Sequence, residues 1–180
     1  SYFEAAVDDI LIEATTPNNP PFAESQSYEM AEDTNLELTL AGSDPNGDVI
    51  TFLIETPPSH GSLSGTLPNL VYTPDSNYNG IDSFTYVVND GKLDSEPATI
   101  SLTITPVNDA PQAIAQTVST SMDTRLDITL SGTDVDGDAL QFNITGFPTV
   151  GILDGHVPNM VYIPLDGYIG EDSFTFVVFD

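Results

Sequence analysis

Three carboxylates stand on alternate residues around a glycine in Asp134-Val135-Asp136-Gly137-Asp138. Oxygen ligands at this spacing converge when the backbone turns sharply, and glycine permits the turn. Hard, numerous and flexible oxygens suit Ca2+ better than Mg2+ or a transition metal, so Ca2+ is the expected ion. Asp44-Pro45-Asn46-Gly47-Asp48 is the same loop with one amide in place of a carboxylate. An ion-free reading stands beside this one. Asp-x-Asp-Gly is a good turn in its own right, because Asp caps its own backbone and Gly takes positive φ.

Other reactive groups form weaker patterns. His60 and His156 fall at different places in the internal repeat described below, which argues against a repeated zinc site. Asp82-Ser83-Phe84 and Asp172-Ser173-Phe174 offer hydroxyls, but no repeated His accompanies them and no G-x-S-x-G elbow exists. Paired carboxylates abound, as in glycosidases, yet acids repeated at loops are better explained by repeated ion sites than by catalysis. The reading is therefore of a protein that is not an enzyme. Lys92 has no counterpart in the repeat, which removes an Asn–Lys crosslink from consideration.

The whole chain shares the acidity of these loops. Of 180 residues, 28 are Asp or Glu and two are basic, Lys92 and Arg125, giving a formal net charge of -26. Nucleic acid is excluded as a partner, since its phosphates need Lys and Arg to displace their counterions. Anionic membrane surfaces are excluded on the same ground. Cations are favoured, because dense carboxylate repels itself until something neutralises it. Hydrophobic residues at 39%, with nine Phe and seven Tyr, still supply a core. There is no Cys, hence neither a disulfide nor a thiolate metal site, and no apolar run is long enough for a spanning helix. The opening Ser1-Tyr2-Phe3-Glu4 does not read as a signal peptide, so the chain is expected to be mature or cut from something longer.

An internal repeat organises these features. Shifted by 90 residues, Leu38 to Asp90 aligns without a gap to Ile128 to Asp180, with about half of the positions identical. Apolar residues alternate at period two in Leu36, Leu38, Leu40, in Ile50, Phe52, Ile54 and in Phe84, Tyr86, Val88, and again 90 residues on. Gly, Pro, Asn and Asp punctuate between them. The expectation is an all-β chain of two tandem β-sandwiches of about seven short strands each. The phase is offset. Ile10-Leu11-Ile12-Glu13-Ala14 matches Ile100 to Ile104, the last strand of the first repeat, and nothing after Asp180 supplies that strand to the second. The expected parts are residues 1–17 as the last strand of a preceding repeat or a donor strand, 18–107 as repeat one, and 108–180 as repeat two without its last strand.

Gly42-x-Asp44-x-Asn46-Gly47-Asp48, Pro58-x-His60-Gly61-x-Leu63, Pro68-Asn69-x-x-Tyr72-x-Pro74, Tyr78-x-Gly80-x-Asp82-Ser83-Phe84-x-Tyr86 and Pro106-Val107-Asn108-Asp109-Ala110-Pro111 carry a resemblance. In combination and order they resemble the bacterial cadherin-like, Ig-like tandem repeats of large surface proteins and adhesins. The resemblance covers nearly the whole chain. It implies an immunoglobulin-like sandwich, an extracellular or cell-surface setting, and calcium near the domain junctions.

Sandwich strand order sharpens the ion hypothesis. The loop with Asp134, Asp136 and Asp138 should lie beside the incoming linker, Asn108 and Asp109. The Glu32-Asp33 turn and the Asp75 to Asp82 loop should lie at the opposite end of repeat one, facing that junction. Cadherins are similar, with acids of two domains and an Asn-Asp linker around Ca2+. The expected ligands are Glu32, Asp82, Asn108, Asp109, Asp134 and Asp136, then Asp138 and Asp33, with Asp44, Asn46 and Asp48 at the Asn18-Asn19 junction. The functional expectation is a non-catalytic structural or adhesive unit of a rod or filament, rigidified by Ca2+. Its open sandwich would be completed by a neighbouring copy, head to tail, or by flanking repeats of the same chain. The alternative is a carbohydrate-binding accessory module of a larger secreted protein, with a glycan or cell-surface ligand.

Overall fold

The computed structural model describes residues 17–180. The described residues form strands, turns and loops without a helix, and their contacts divide between Pro106 and Val107 into two units. The expected terminal strand in residues 1–17 lies, but for Pro17, outside the described residues.

Unit 1 runs β1 (Phe22–Ala23), β2 (Gln26–Ala31), β3 (Leu36–Thr39), β4 (Gly42–Ser43), β5 (Thr51–Thr56), β6 (Gly61–Thr66), β7 (Asn69–Pro74), β8 (Gly80–Asn89) and β9 (Ala98–Thr105). One sheet has the order β2-β9-β8-β5 and the other β3-β7-β6, while β1 pairs with β4. Inside the first sheet β9 has a neighbour on each side. It runs parallel to β2, from Gln26↔Ile100 to Ala31↔Thr105, and antiparallel to β8, from Gly80↔Ile104 to Tyr86↔Ala98.

The alternation in sequence becomes alternation in burial. Along β9, Ala98, Ile100, Leu102 and Ile104 point inward while Thr99, Ser101 and Thr103 face solvent. The β-branched Ile and Thr residues of β9 favour the pleated, half-buried surface. Leu38, Leu70 and Tyr72 from one sheet pack with Phe84, Tyr86, Val88, Ile100 and Leu102 from the other, so the core lies between the sheets. The Tyr86 ring is wholly buried, and its hydroxyl lies 2.7 Å from the Glu24 carbonyl and 2.6 Å from that of Ala41. That satisfies the one polar atom of a core aromatic residue.

Unit 2 runs β10 (Gln112–Ala113), β11 (Leu126–Thr129), β12 (Gly132–Thr133), β13 (Gln141–Gly146), β14 (Ile152–His156), β15 (Asn159–Ile163) and β16 (Thr175–Phe179). Its β11-β15-β14 sheet and its β10–β12 pair repeat unit 1. The other sheet has shrunk to β13 and β16. No described strand occupies the β9 place, and two further elements are lost with it. Residues 116–121, which align with β2, form no strand, because β2 in unit 1 pairs with β9 alone. The β16 ladder starts at Thr175, five residues later than Gly80 of β8 would imply, because the first part of β8 also leans on β9. Phe174 and Phe176 are left partly exposed where Phe84 and Tyr86 are buried, and only Ile128, Leu130 and Met160 form the fully buried centre.

Leu102 is completely buried at the middle of β9. Leu102→Ala is expected to destabilise unit 1 by about 2–5 kcal/mol, the usual cost of a cavity left by a large-to-small core change. Scanning calorimetry should show the unit 1 transition moving down by several degrees while that of unit 2 stays in place.

Candidate metal centre

The acidic loop of unit 2 leaves β12 and leads to β13. Gly137 sits at φ 81°, the left-handed conformation that lets the chain fold back within three residues. The Asp138 N–H then donates to Asp134 Oδ1 at 3.1 Å. The outcome is that one oxygen from each of Asp134, Asp136 and Asp138 lies within 4.8 Å of the others. Asp134 is half-buried and the other two are exposed. Asp134 Oδ2 is buried without a hydrogen-bond partner, a costly state for a carboxylate oxygen unless a cation or water meets it. Among the described residues no ion pair involves these three acids. The donor set is all hard oxygen, which is the chemistry of a Ca2+ site.

The linker reaches this loop. The Asp109 N–H donates to Asp136 Oδ2 at 2.8 Å, and Asn108 Nδ2 donates to Asp180 Oδ2 at 2.7 Å. Five of the sequence-derived candidates, Asn108, Asp109, Asp134, Asp136 and Asp138, thus belong to unit 2, and the last four share one loop-and-linker cluster.

The corresponding loop of unit 1 has the same turn and different electrostatics. Asp44 Oδ1 accepts the N–H groups of Asn46 and Asp48 at 2.8 and 3.0 Å, with Gly47 at φ 80°. Asn46 uses its amide at both ends: Oδ1 accepts from the Asn19 N–H and Nδ2 donates to the Pro17 carbonyl. The Lys92 ammonium lies 3.7 Å from Asp48 and donates to Asn18 Oδ1. Asn18 Nδ2 in turn donates to Asp90 Oδ2 at 2.7 Å. An amide therefore stands in unit 1 where unit 2 has a third carboxylate, and an ammonium lies beside the unit 1 loop.

Glu32, Asp33 and Asp82 lie in unit 1. Glu32 is buried at the end of β2, where its N–H donates to the Thr105 carbonyl. Asp33, at φ 59°, accepts the Asn77 N–H and ties the β2–β3 turn to the β7–β8 loop. Asp82 is committed to its own unit. Its two oxygens accept the N–H groups of Ser59, His60 and Ser83 and the Tyr72 hydroxyl, all at 2.8–3.0 Å. Gly61 makes room for this arrangement, since a Cβ there would lie 2.7 Å from the Tyr72 ring.

Asp172 repeats the arrangement in unit 2, accepting from the Thr149, Val150, Gly151 and Ser173 N–H groups and from the Tyr162 hydroxyl. Burial alone would raise both carboxyls. The hydrogen bonds outweigh it, from Ser59, Tyr72, Ser83 and His60 in one case and from Thr149, Gly151, Val150 and Tyr162 in the other, and hold Asp82 and Asp172 below the ordinary carboxylate range. Burial, then the hydrogen bond and charge of the partner Asp, pushes Tyr72 and Tyr162 up. Sequence reasoning placed Asp82 among the ion ligands. The signal for the knot was present: Tyr72 and Asp82 recur together as Tyr162 and Asp172.

The chain was compared with known proteins. The model of the family described as the Bacterial Ig domain matches residues 18–103 and again residues 108–180. Among curated proteins, "Integrin beta-like protein A" of Dictyostelium discoideum is 31% identical over 143 residues, 68% of this chain and 7% of that protein. "Integrin beta-like protein C" of the same organism is 30% identical over 145 residues, again 7% of its length. The chain thus spans a small part of these relatives. Among solved structures, protocadherin gamma B2 extracellular cadherin domains 1–5 superpose with a TM-score of 0.51 at 16% identity, covering 89% of this chain and 39% of that one. Domains 3–6 of the same protein give 0.50 at 14%, covering 88% and 46%. An endo-fucoidan hydrolase of glycoside hydrolase family 107 gives 0.44 at 24% identity, through 27% of its own chain and 89% of this one.

The Asp172 knot sets a pH dependence. Its folded carboxyl is depressed relative to an unfolded value of about 3.9. Its contribution is therefore full above about pH 4 and lost as pH falls from there through the folded value. The stability gap between the parent chain and an Asp172→Asn variant should be constant from pH 7 to about 5 and shrink below about pH 4. Denaturant melts of unit 2 across this range check it, and a gap independent of pH contradicts it.

Proposed function

The chain belongs to the bacterial Ig domain family, and from that premise we propose that it is a non-catalytic structural or adhesive repeat unit of a larger extracellular protein, part of a rod whose linker is stiffened by Ca2+. Tandem Ig-like repeats of this kind are typical of extracellular proteins that space or hold surfaces. The observation that carries the ion is the convergence of Asp134, Asp136 and Asp138 within 4.8 Å, on the loop whose Asp136 also receives the linker N–H of Asp109.

Asp134, Asp136 and Asp138 would hold the ion, with Asp109 adjoining them. Bound Ca2+ supplies positive charge at a place where the chain has only negative charge. Without it, the three carboxylates repel one another on the loop whose Asp136 accepts the linker N–H of Asp109. Neutralisation makes the compact loop the stable one and so fixes the linker that leaves it. The Asp44 loop is the weaker candidate, because Asn46 and Lys92 already satisfy and neutralise it in part. Asp82 is omitted from the set, because both its oxygens serve the fold of unit 1.

Asp134→Ala with Asp136→Ala is expected to abolish the strongest Ca2+ binding seen by titration calorimetry and any Ca2+-dependent stiffening seen by small-angle scattering. The melting transition in chelator should be unchanged, since these side chains are not in the core. Retained Ca2+ dependence in the double variant would refute the proposal.

A further inference from the structure

Asn143, Ile144 and Thr145 lie on β13 and make up an N-x-T triplet, the pattern that N-linked glycosylation requires of its acceptor. No other Asn of the chain is followed two places on by Ser or Thr. The fold puts both ends of the triplet outside. Asn143 and Thr145 are exposed, while Phe142 and Ile144 turn toward the core of unit 2. The Asn143 side chain makes no hydrogen bond among the described residues, whereas the amides of Asn18, Asn46, Asn89 and Asn108 all donate to the fold. The strand is also an outer one by its place in the repeat. Its unit 1 counterpart, β5, ends the four-stranded sheet β2-β9-β8-β5.

We propose that Asn143 is a glycosylation site, its amide nitrogen carrying a sugar whose first ring lies over Val177 and Phe179. The inference rests on the reading of the chain as part of an extracellular protein, the setting in which this triplet is used. It needs no ion.

The cross-strand neighbours favour that occupant. Asn143 stands opposite Val177, with Phe179 next along the same outward face, and both are exposed. A diagonal neighbour on one face of a sheet is within reach of a long group. Unit 1 fills the same place differently. There Leu53 stands opposite Val87 as an apolar pair, and Asn89 occupies the position of Phe179. Unit 2 has therefore exchanged an apolar pair for a polar residue beside two apolar ones. A sugar suits the exchange, because one face of its ring is C–H groups that leave water against Val177 and Phe179 while its hydroxyls stay in solvent. A glycan here would also blunt the outer edge of β13 against pairing with another chain. The chemistry is a substitution at the anomeric carbon of a phosphate-activated sugar donor. The bond from Asn143 Nδ2 to that carbon forms, the carbon–oxygen bond to the donor's phosphate breaks with the electron pair leaving on the phosphate, and Nδ2 gives up one proton.

Peptide mass mapping of the protein isolated from the cells that make it should find a hexose or N-acetylhexosamine on the peptide that holds residues 141–146, with fragmentation placing the mass on Asn143. Asn143→Gln and Thr145→Ala should each lose the added mass. Thr145→Ser should keep it, since the triplet asks only for the hydroxyl. Enzymatic removal of the sugar should lower the melting transition of unit 2 in calorimetry and leave that of unit 1 in place. An unmodified Asn143, or an added mass that survives Asn143→Gln, would overturn the proposal. A unit 2 transition indifferent to the sugar would overturn its seat over Val177 and Phe179. Should Asn143 be bare, sending the chain through a eukaryotic secretory pathway tells which part failed: sugar gained there faults the extracellular setting, and none gained faults the acceptor itself. All of this is read in chelator, so its failure would leave the Ca2+ assignment standing.

Discussion

A strand inside a sheet must satisfy backbone donors and acceptors on both of its edges, and the structure turns on whether β9 is there to do so. In unit 1 it is, and everything beside it is ordered around it. β2 exists as a strand because β9 offers it a partner, the first half of β8 is held from the same side, and Ile100 and Leu102 close the core completely. In unit 2 the same local sequences, 90 residues later, have no such partner among the described residues. The backbone at 116–121 then has no ladder to join, and the aromatic residues at 174 and 176 keep solvent contact. Burial of a polar backbone group without a partner is costly enough that the strand does not form alone.

Around this frame, carboxylates do two opposite jobs. Asp82 and Asp172 sit under loops, collect four or five donors each, and staple the turn before β6 or β14 to the strand region that follows. Their charge is satisfied by the fold itself. Asp134, Asp136 and Asp138 project from an exposed turn with fewer donors, and Asp134 keeps a buried oxygen without a hydrogen-bond partner. Their charge is not met by donors of the fold to the same extent. The same residue type is structural in one place and a candidate ligand in the other, and the number of N–H groups aimed at it decides which.

The two repeats diverge where charge matters. Asn46 in place of the third carboxylate, with Lys92 beside Asp48, lets the unit 1 loop close with its own hydrogen bonds and one ion pair. Asp136 accepts the linker N–H of Asp109 as Asn46 accepts that of Asn19, but it brings a negative charge and cannot donate as Asn46 Nδ2 does to the Pro17 carbonyl. The amide-to-acid difference thus adds a negative charge to the unit 2 loop where unit 1 donates a hydrogen bond.

The sequence by itself determined the all-β class, the two-sandwich repeat and the inward-facing residues. These depend on local period and on the 90-residue self-match, both of which are written along the chain. It also brought Asp109 to the Asp136 loop, because strand order puts that loop beside the incoming linker. Only the tertiary structure decided that Asp82 spends its oxygens on Ser59, His60, Ser83 and Tyr72, and that residues 116–121 form no strand among the described residues. Hydrogen-bond saturation and sheet pairing depend on groups distant in sequence, and residue type alone does not say which partner each donor reaches. Alternation tells a residue which way to face. What it meets there is a property of the folded whole.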